Sequence, residues 1–265
     1  MSAPKTSAYG AMPTDHSHTP GQHRAIAAAY DPFTTERLAA TGITDGWHCL
    51  DVGTGAGTIA QWLADRVAPS GRVVTTDIKP VDLAEHPNLT SEQHDITCEA
   101  LQEQQFDLIV VRLLLQHFAD RDAILAKLAR ALKPGGWLQV EEFDTSYGPV
   151  FAASTEGERL FERFLSAKRA LMRSKGGNPE WGREAARSLQ DVGLVDVNPV
   201  PFVATRHAGS PDLALQLNHT HHLREGLLEM GMTDEELEKV RDVMLNPSFR
   251  ASASPLISVQ GRKRS

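Results

Sequence analysis

Cysteine is scarce in this chain: two in 265 residues, Cys49 and Cys98, with no CxxC spacing. That excludes a disulfide framework and the common thiolate metal sites. Cys49 lies in an apolar run and reads as a small buried hydrophobe. Long hydrophobic runs are missing too: no stretch approaches the roughly 18 apolar residues of a membrane-spanning helix. Positive charge is in deficit, with 27 Lys and Arg against 34 Asp and Glu and a net charge of -7. Such a surface offers no field for a polyanion, so nucleic acid is not an expected partner. The basic tail GRKRS is too short to change this. The opening MSAPKTSAYGAMPTDHSHTPGQ lacks the charged-then-apolar order of a secretory signal. The expectation is a cytoplasmic protein without a membrane partner. His16, His18 and His23 have no cysteine or acidic pattern to complete a metal site, so no metal is expected.

What is present is alternation. Residues 23–40 read as a helix that Pro32 breaks. Residues 47–52 form a short apolar run, and TIAQWLADRV (58–67) carries Ile59, Leu63 and Val67 at helical spacing. RVVTT (72–76) and FDLIVV (106–111) read as strands. DRDAILAKLARAL (120–132) is an amphipathic helix stopped by Lys-Pro-Gly-Gly, and WLQVEEF (137–143) is the next strand. Strands alternating with helices predict a parallel sheet with right-handed crossovers. After Asp144 helices dominate: 155–175, 180–192, 211–230 and 233–245, the last opened by a capping box of Thr233 and Glu236. Strands are expected at 195–205 and 256–260. The late helices should form a layer over the carboxyl ends of the strands, where ligands bind in such folds.

Between the first strand and its helix lies HCLDVGTGAGTIA, with glycines at 53, 55 and 57. Glycine permits tight turns and close ligand approach, and a helix N-terminus follows with free N–H groups. A phosphate loop would need Gly-Lys-Ser/Thr, which is absent nearby. A dinucleotide loop wants Gly or Ala where Thr58 stands. Asp51 would repel a pyrophosphate but suits a ligand with a cationic amino acid end. A nicotinamide oxidoreductase is therefore disfavoured.

LDVGTGAGTIA, VVTTDIKP, HDI, FDLIVVRLLLQHF and LKPGGWLQVEE, in that order, resemble the class I S-adenosylmethionine-dependent methyltransferases. The likeness is to the small-molecule type that includes ubiquinone-biosynthesis and natural-product enzymes. It covers residues 48–143, roughly a third of the chain. The resemblance implies a Rossmann-like, seven-stranded, mostly parallel sheet with helices on both faces, an antiparallel last strand, and helical inserts toward the C-terminal half. Residues 1–21, rich in Ser, Thr, Pro, Gly and His, read as a flexible arm or lid, and one domain is expected over 22–265. Within that domain, 22–146 would bind the cofactor, 147–250 would hold acceptor-binding helices, and 251–265 would form the last strand and tail.

The resemblance also implies residue roles. Asp51, Gly53, Thr54, Gly55 and Gly57 would line the methionine and ribose side of S-adenosylmethionine. Asp77 would grip the ribose hydroxyls, and Ile78 would pack on adenine. Asp95 and Ile96 would sit at its amino edge. Arg112, Gln116 and His117 would stand near the amino acid end. Methyl transfer is an in-line displacement that depends mainly on positioning, and a hydroxyl acceptor also benefits from a base. The candidate bases are His117, His219, His222 and Glu142, with Glu141 and Asp144 pointing the same way. Tyr9, Tyr30 and Phe33 would help the N-terminal region close over the cofactor. The expected activity is methylation of a small molecule at oxygen in bacterial secondary metabolism, releasing S-adenosylhomocysteine, with homodimerisation left open. A peptide or protein acceptor, or cofactor binding in service of a non-methylating reaction, are the alternatives.

Overall fold

The computed structural model describes residues 17–79, 81 and 83–265. In chain order the elements are α1 (Thr19–Ala39), β1 (His48–Val52), α2 (Thr58–Val67), β2 (Arg72–Asp77), β3 (Leu89–Gln93), β4 (Phe106–Arg112), α3 (Arg121–Ala131), β5 (Leu132–Phe143), β6 (Val150–Ala152), α4 (Thr155–Ser174), α5 (Ala185–Asp191), β7 (Val195–Phe202), β8 (Thr205–His207), α6 (Pro211–His222), α7 (Arg224–Glu229), α8 (Asp234–Leu245), β9 (Arg250–Ser252) and β10 (Leu256–Arg262). Seven strands form one sheet in the order β3-β2-β1-β4-β5-β10-β7. The pairs β2–β3, β1–β2, β1–β4 and β4–β5 are parallel. The last strand, β10, runs antiparallel between β5 and β7. This is the Rossmann-like sheet with an antiparallel last strand.

Two-residue alternation divides the central strands between the faces. Leu50, Val52, Ile109 and Val111 pack with Ile124, Leu125 and Leu128 of α3 and Ala185 and Leu189 of α5. Cys49, Leu108 and Val110 pack with Ile59, Leu63 and Val67 of α2 and Leu38 of α1. Burial on both faces explains why β1 is inaccessible along its whole length.

A third layer covers the carboxyl ends of the strands. Helices α4, α6, α7 and α8 share a separate apolar core built on Phe161, Phe164, Leu213, Leu227 and Val240. Under it lies a small sheet, β6-β9-β8. The expected capping box is present: Thr233 Oγ1 accepts from Glu236 N at 3.1 Å, and Glu236 accepts from Thr233 N at 3.0 Å.

Several expectations need correction. Pro32 lies inside α1 without breaking it. The lost backbone hydrogen bond is outweighed by burial of Tyr30, Thr34 and Leu38 on either side. The expected helix 211–230 divides at Leu223, and 180–192 is a short 3₁₀ turn (Trp181–Arg183) followed by α5. Residues 195–205 are split between two sheets. Strand β3 was not expected: its sequence LTSEQ is polar, and as an edge strand it is mostly exposed. Helix α1 begins at Thr19, within the stretch expected to be an arm. Tyr9 lies outside the described residues.

Helix α1 is fastened by buried polar contacts. The Tyr30 hydroxyl donates to Asp212 Oδ1 on α6, and Arg206 Nε on β8 ion-pairs with Asp212 Oδ2. Tyr30 is fully buried, and Phe33 stacks on Phe202 at 5.0 Å. Tyr30→Phe leaves one Asp212 oxygen without its donor, so urea unfolding should show a loss of about 1–3 kcal/mol. No measurable loss would mean that this hydrogen bond does not hold α1 in place.

Candidate active site

The site begins where β1 ends. Gly53, Gly55 and Gly57 take φ values of 73°, 56° and 74°, a left-handed conformation costly for residues with a Cβ. Gly53 N donates to Thr76 O at 2.8 Å, tying the turn to β2. A Cβ on Gly53 would lie 3.0 Å from Leu114. Thr54 Oγ1 donates to Asp51 Oδ2 at 2.7 Å. Asp51 is buried, which pushes its carboxyl up to about 6; the Thr54 hydrogen bond and the Arg112 charge oppose that rise.

The second wall is the turn after β4. Leu113 has φ 54°, and a 3₁₀ turn, Leu115–His117, follows. Glu142 on β5 holds this turn: its Oε1 accepts from Leu114 N at 3.0 Å and Leu115 N at 2.6 Å. Gln116 and His117 are thereby carried to the cavity. Gln116 Oε1 and His117 Nδ1 are buried without a partner. Burial lowers His117 to about 4, so its ring is neutral.

Three helices and a strand close the space. From α1 come Gln22, His23 and Ile26. His23 lies on the glycine turn, its Nε2 3.5 Å from where a Gly55 Cβ would stand. From α4 come Leu165, Lys168, Arg169 and Met172, positions i, i+3, i+4 and i+7 on one helical face. From α6 come Leu215, Gln216 and His219, and from β8 comes Arg206. Lys168 Nζ donates to Gln216 Oε1 at 2.6 Å. Burial, then the Arg206 charge, pushes Lys168 down to about 7. Burial, then Lys168, holds His219 well below its ordinary value, so it too is neutral.

The expected site residues do not all meet here. Asp51, Gly53, Thr54, Gly55, Arg112, Gln116, His117 and His219 line the cavity. Gly57, Asp77, Ile78, Asp95, Ile96, Glu142 and His222 do not. Gly57 caps α2 with Leu83 packed on it. Asp77 ends β2 half-buried, its charge acting on His23. Gln93 Nε2 donates to Ile78 O at 3.0 Å. Asp95 closes a turn by accepting from Thr97 N at 2.9 Å. Ile96 belongs to the core. Arg112 ion-pairs with Asp31 of α1 at 2.7 Å.

Among the candidate bases, Glu142 is occupied with backbone N–H groups, and burial lifts its carboxyl to about 8. It holds a proton at neutral pH instead of taking one. Glu141 accepts from Thr34 at 2.6 Å, and Asp144 ion-pairs with Arg183 at 2.8 Å. Tyr30 and Phe33 anchor α1 in the layer above the sheet, and neither lines the cavity.

Sequence reasoning missed His23, Lys168, Arg169, Gln216 and Arg206. A sign of Lys168 and Arg169 was readable: α4 places two cations between Leu165 and Met172, on a face that would otherwise be apolar. Arg206, alone on a short strand, gave no such sign.

A family model described as a methyltransferase domain matches residues 50–138. Those residues, about a third of the chain, carry a methyltransferase domain. An uncharacterized 37.1 kDa protein in transposon TN4556 of Streptomyces fradiae is 32% identical over 74% of this chain and 58% of its own length. The ubiquinone/menaquinone biosynthesis C-methyltransferase UbiE of Cupriavidus necator is 31% identical over 43% of this chain and 50% of its own. The chain thus spans only about half the length of these curated relatives, at 58% and 50%. The phosphoethanolamine N-methyltransferase 2 of Haemonchus contortus, solved with S-adenosyl-L-methionine, shares the fold with a TM-score of 0.59. It is 15% identical, over 95% of this chain and 58% of that one. Among the described residues no helix is long and apolar enough to cross a membrane, and no cluster of side chains could hold a metal.

Glu142→Gln tests the structural role of that carboxyl. The folded protein keeps the Glu142 proton up to about pH 8, against an ordinary value of 4.5. Folded molecules therefore bind more protons than unfolded ones across that window, and stability falls as pH rises. Gln keeps the accepting oxygen and has no proton to lose. Its urea-unfolding stability should gain on the unaltered protein by about 2–4 kcal/mol between pH 5 and 8. Parallel curves would contradict the assignment.

Proposed function

We propose that this chain transfers a methyl group from S-adenosylmethionine to a small-molecule acceptor, at an oxygen, in the bacterial cytoplasm as part of secondary metabolism. The observation that carries this reading is the continuity of one cavity, from the glycine turn and Asp51 at its floor to Lys168, Gln216 and His219 at its roof. The floor fits the methionine end of the cofactor. Asp51 offers a buried carboxylate to an ammonium group, and Gln116 Oε1 is a buried acceptor awaiting a donor. Left-handed Gly53 and Gly55 let a ligand approach the backbone of the turn. Asp77, at the end of β2, would take the ribose hydroxyls. When bound, S-adenosylmethionine supplies a sulfonium methyl, whose carbon–sulfur bond breaks with its electron pair left on sulfur as the bond to the acceptor oxygen forms.

The chain's part is mainly orientation. His117 and His219 are neutral and face the cavity, so each can accept a hydrogen bond from an acceptor hydroxyl. Both are weak bases, because burial disfavours the imidazolium. The site therefore suits an acceptor hydroxyl that is itself acidic, such as a phenol or enol, more than an aliphatic alcohol. Helices α1, α4 and α6 roof the cavity, which favours a small molecule over a peptide. UbiE carries the name of a C-methyltransferase of quinone biosynthesis, which supports a small ring-bearing acceptor while its name places the methyl on carbon.

S-adenosylhomocysteine should raise the melting temperature by several degrees when present at about a hundred times its dissociation constant, a stabilisation of ~2.7 kcal/mol. NADH should leave it unchanged. Methyl-labelled S-adenosylmethionine incubated with fractionated small molecules from a bacterial extract should yield a labelled product whose methyl sits on oxygen. Equal shifts from both ligands, or no labelled product in any fraction, would overturn the reading.

A further inference from the structure

The roof of the cavity carries charge that the methyl-transfer chemistry does not use. Lys168 and Arg169 are neighbours on α4, and Arg206 faces them from β8. Asp212 offsets Arg206 through Nε, yet Arg206 Nη1 is buried without a hydrogen-bond partner, in a side chain only 2% exposed. Lys168 and Arg169 meet neutral acceptors, Gln216 Oε1 at 2.6 Å and Thr145 O at 3.3 Å. His219, 5% exposed, has a partner on neither ring nitrogen. Among the described residues lining the cavity, Asp51 is the only carboxylate, and it belongs to the floor.

Buried donors without acceptors are costly, so their persistence is informative. A guanidinium N–H, an ammonium and a neutral imidazole N–H together match a group with two anionic oxygens. Apolar side chains also line the roof and walls: Ile26, Phe143, Leu165, Met172, Leu215 and Leu223. A carboxylate on a hydrophobic skeleton suits such walls. A phosphate monoester carries more charge and a tighter hydration shell, and would be harder to strip of water there.

We infer that the acceptor is an apolar organic acid whose carboxylate is held in the roof by Arg206, Lys168 and His219; the word acceptor rests on the methyl-transfer reading above. The carboxylate is an anchor. Paired with two cations, it is a poorer nucleophile than a free one, and it fixes the far end of the molecule so that another oxygen meets the methyl group. His219 serves here as a donor to the carboxylate, which leaves His117 as the imidazole nearer the floor to accept from the hydroxyl.

The experiment is a calorimetric titration of the full chain, with and without saturating S-adenosylhomocysteine, using three probes: benzoate, benzamide as the uncharged isostere, and phenyl phosphate. Benzoate should bind at least about tenfold more tightly than benzamide and more tightly than phenyl phosphate. Lys168→Met should remove most of the benzoate–benzamide difference. The melting temperature of that variant reports its folding, and the probe comparison on the unaltered protein stands whether or not it folds. Equal binding of benzoate and benzamide, no benzoate binding in the millimolar range, or full benzoate affinity in a folded Lys168→Met would overturn the inference. Tighter binding of phenyl phosphate would overturn the choice of a carboxylate. Failure of S-adenosylhomocysteine to bind would instead count against the methyltransferase reading, while the benzoate result would still report on the anion site.

Discussion

The Asp212 carboxylate receives the Tyr30 hydroxyl on one oxygen and the Arg206 guanidinium on the other, with all three side chains out of contact with solvent. Helix α1 here meets β8 and α6, which lie side by side about 180 residues further along the chain. The Thr34–Glu141 and Asp31–Arg112 contacts also tie α1 down, and the same helix lays His23 against the glycine turn. The buried Arg206–Asp212 ion pair is weak evidence for stability as such, because both charges have lost their water. Its effect is to set position: it decides where the roof stands relative to the floor. It also leaves one Arg206 nitrogen facing into the molecule without an acceptor.

The floor obeys a similar logic. Glu142 accepts two consecutive backbone N–H groups from the turn after β4, where Leu113 sits in a left-handed conformation. Strain at that residue is tolerated because a buried carboxyl holds the next two residues. Gln116 and His117 are aimed by this arrangement. Three acids near the carboxyl ends of the central strands, Asp51, Glu141 and Glu142, all have their carboxyls pushed upward by burial. They differ in use. Glu142 and Glu141 hold the structure together, while Asp51 faces the cavity.

Much of this was legible in the residues. The strand-to-helix spacing around β1, α2 and β4 follows from apolar patterns that only a doubly covered sheet satisfies, and the glycine turn between them is a local feature. Strand β3 escaped because an edge strand needs no apolar face. The survival of α1 through Pro32 escaped because tertiary packing overrode a local rule. The site was legible on its floor, where the motif is contiguous. The roof was legible only at His219, because Lys168 and Arg206 are brought to it by folding across some fifty residues of chain. Glu142 was misread for a related reason: a glutamate at a strand end looks the same whether it turns toward a ligand or toward backbone amides.

The central claim is that the Asp51 carboxylate at the end of β1 holds the amino acid end of the methyl donor. Calorimetric titration of S-adenosylhomocysteine into the unaltered protein and into Asp51→Asn tests it most directly. The substitution keeps the size of the side chain and an oxygen for the Thr54 hydroxyl, and removes the charge that would meet the ligand's ammonium. The unaltered protein should bind in the micromolar range and the variant at least about tenfold more weakly, a loss of ~1.4 kcal/mol or more. Equal affinities would contradict it.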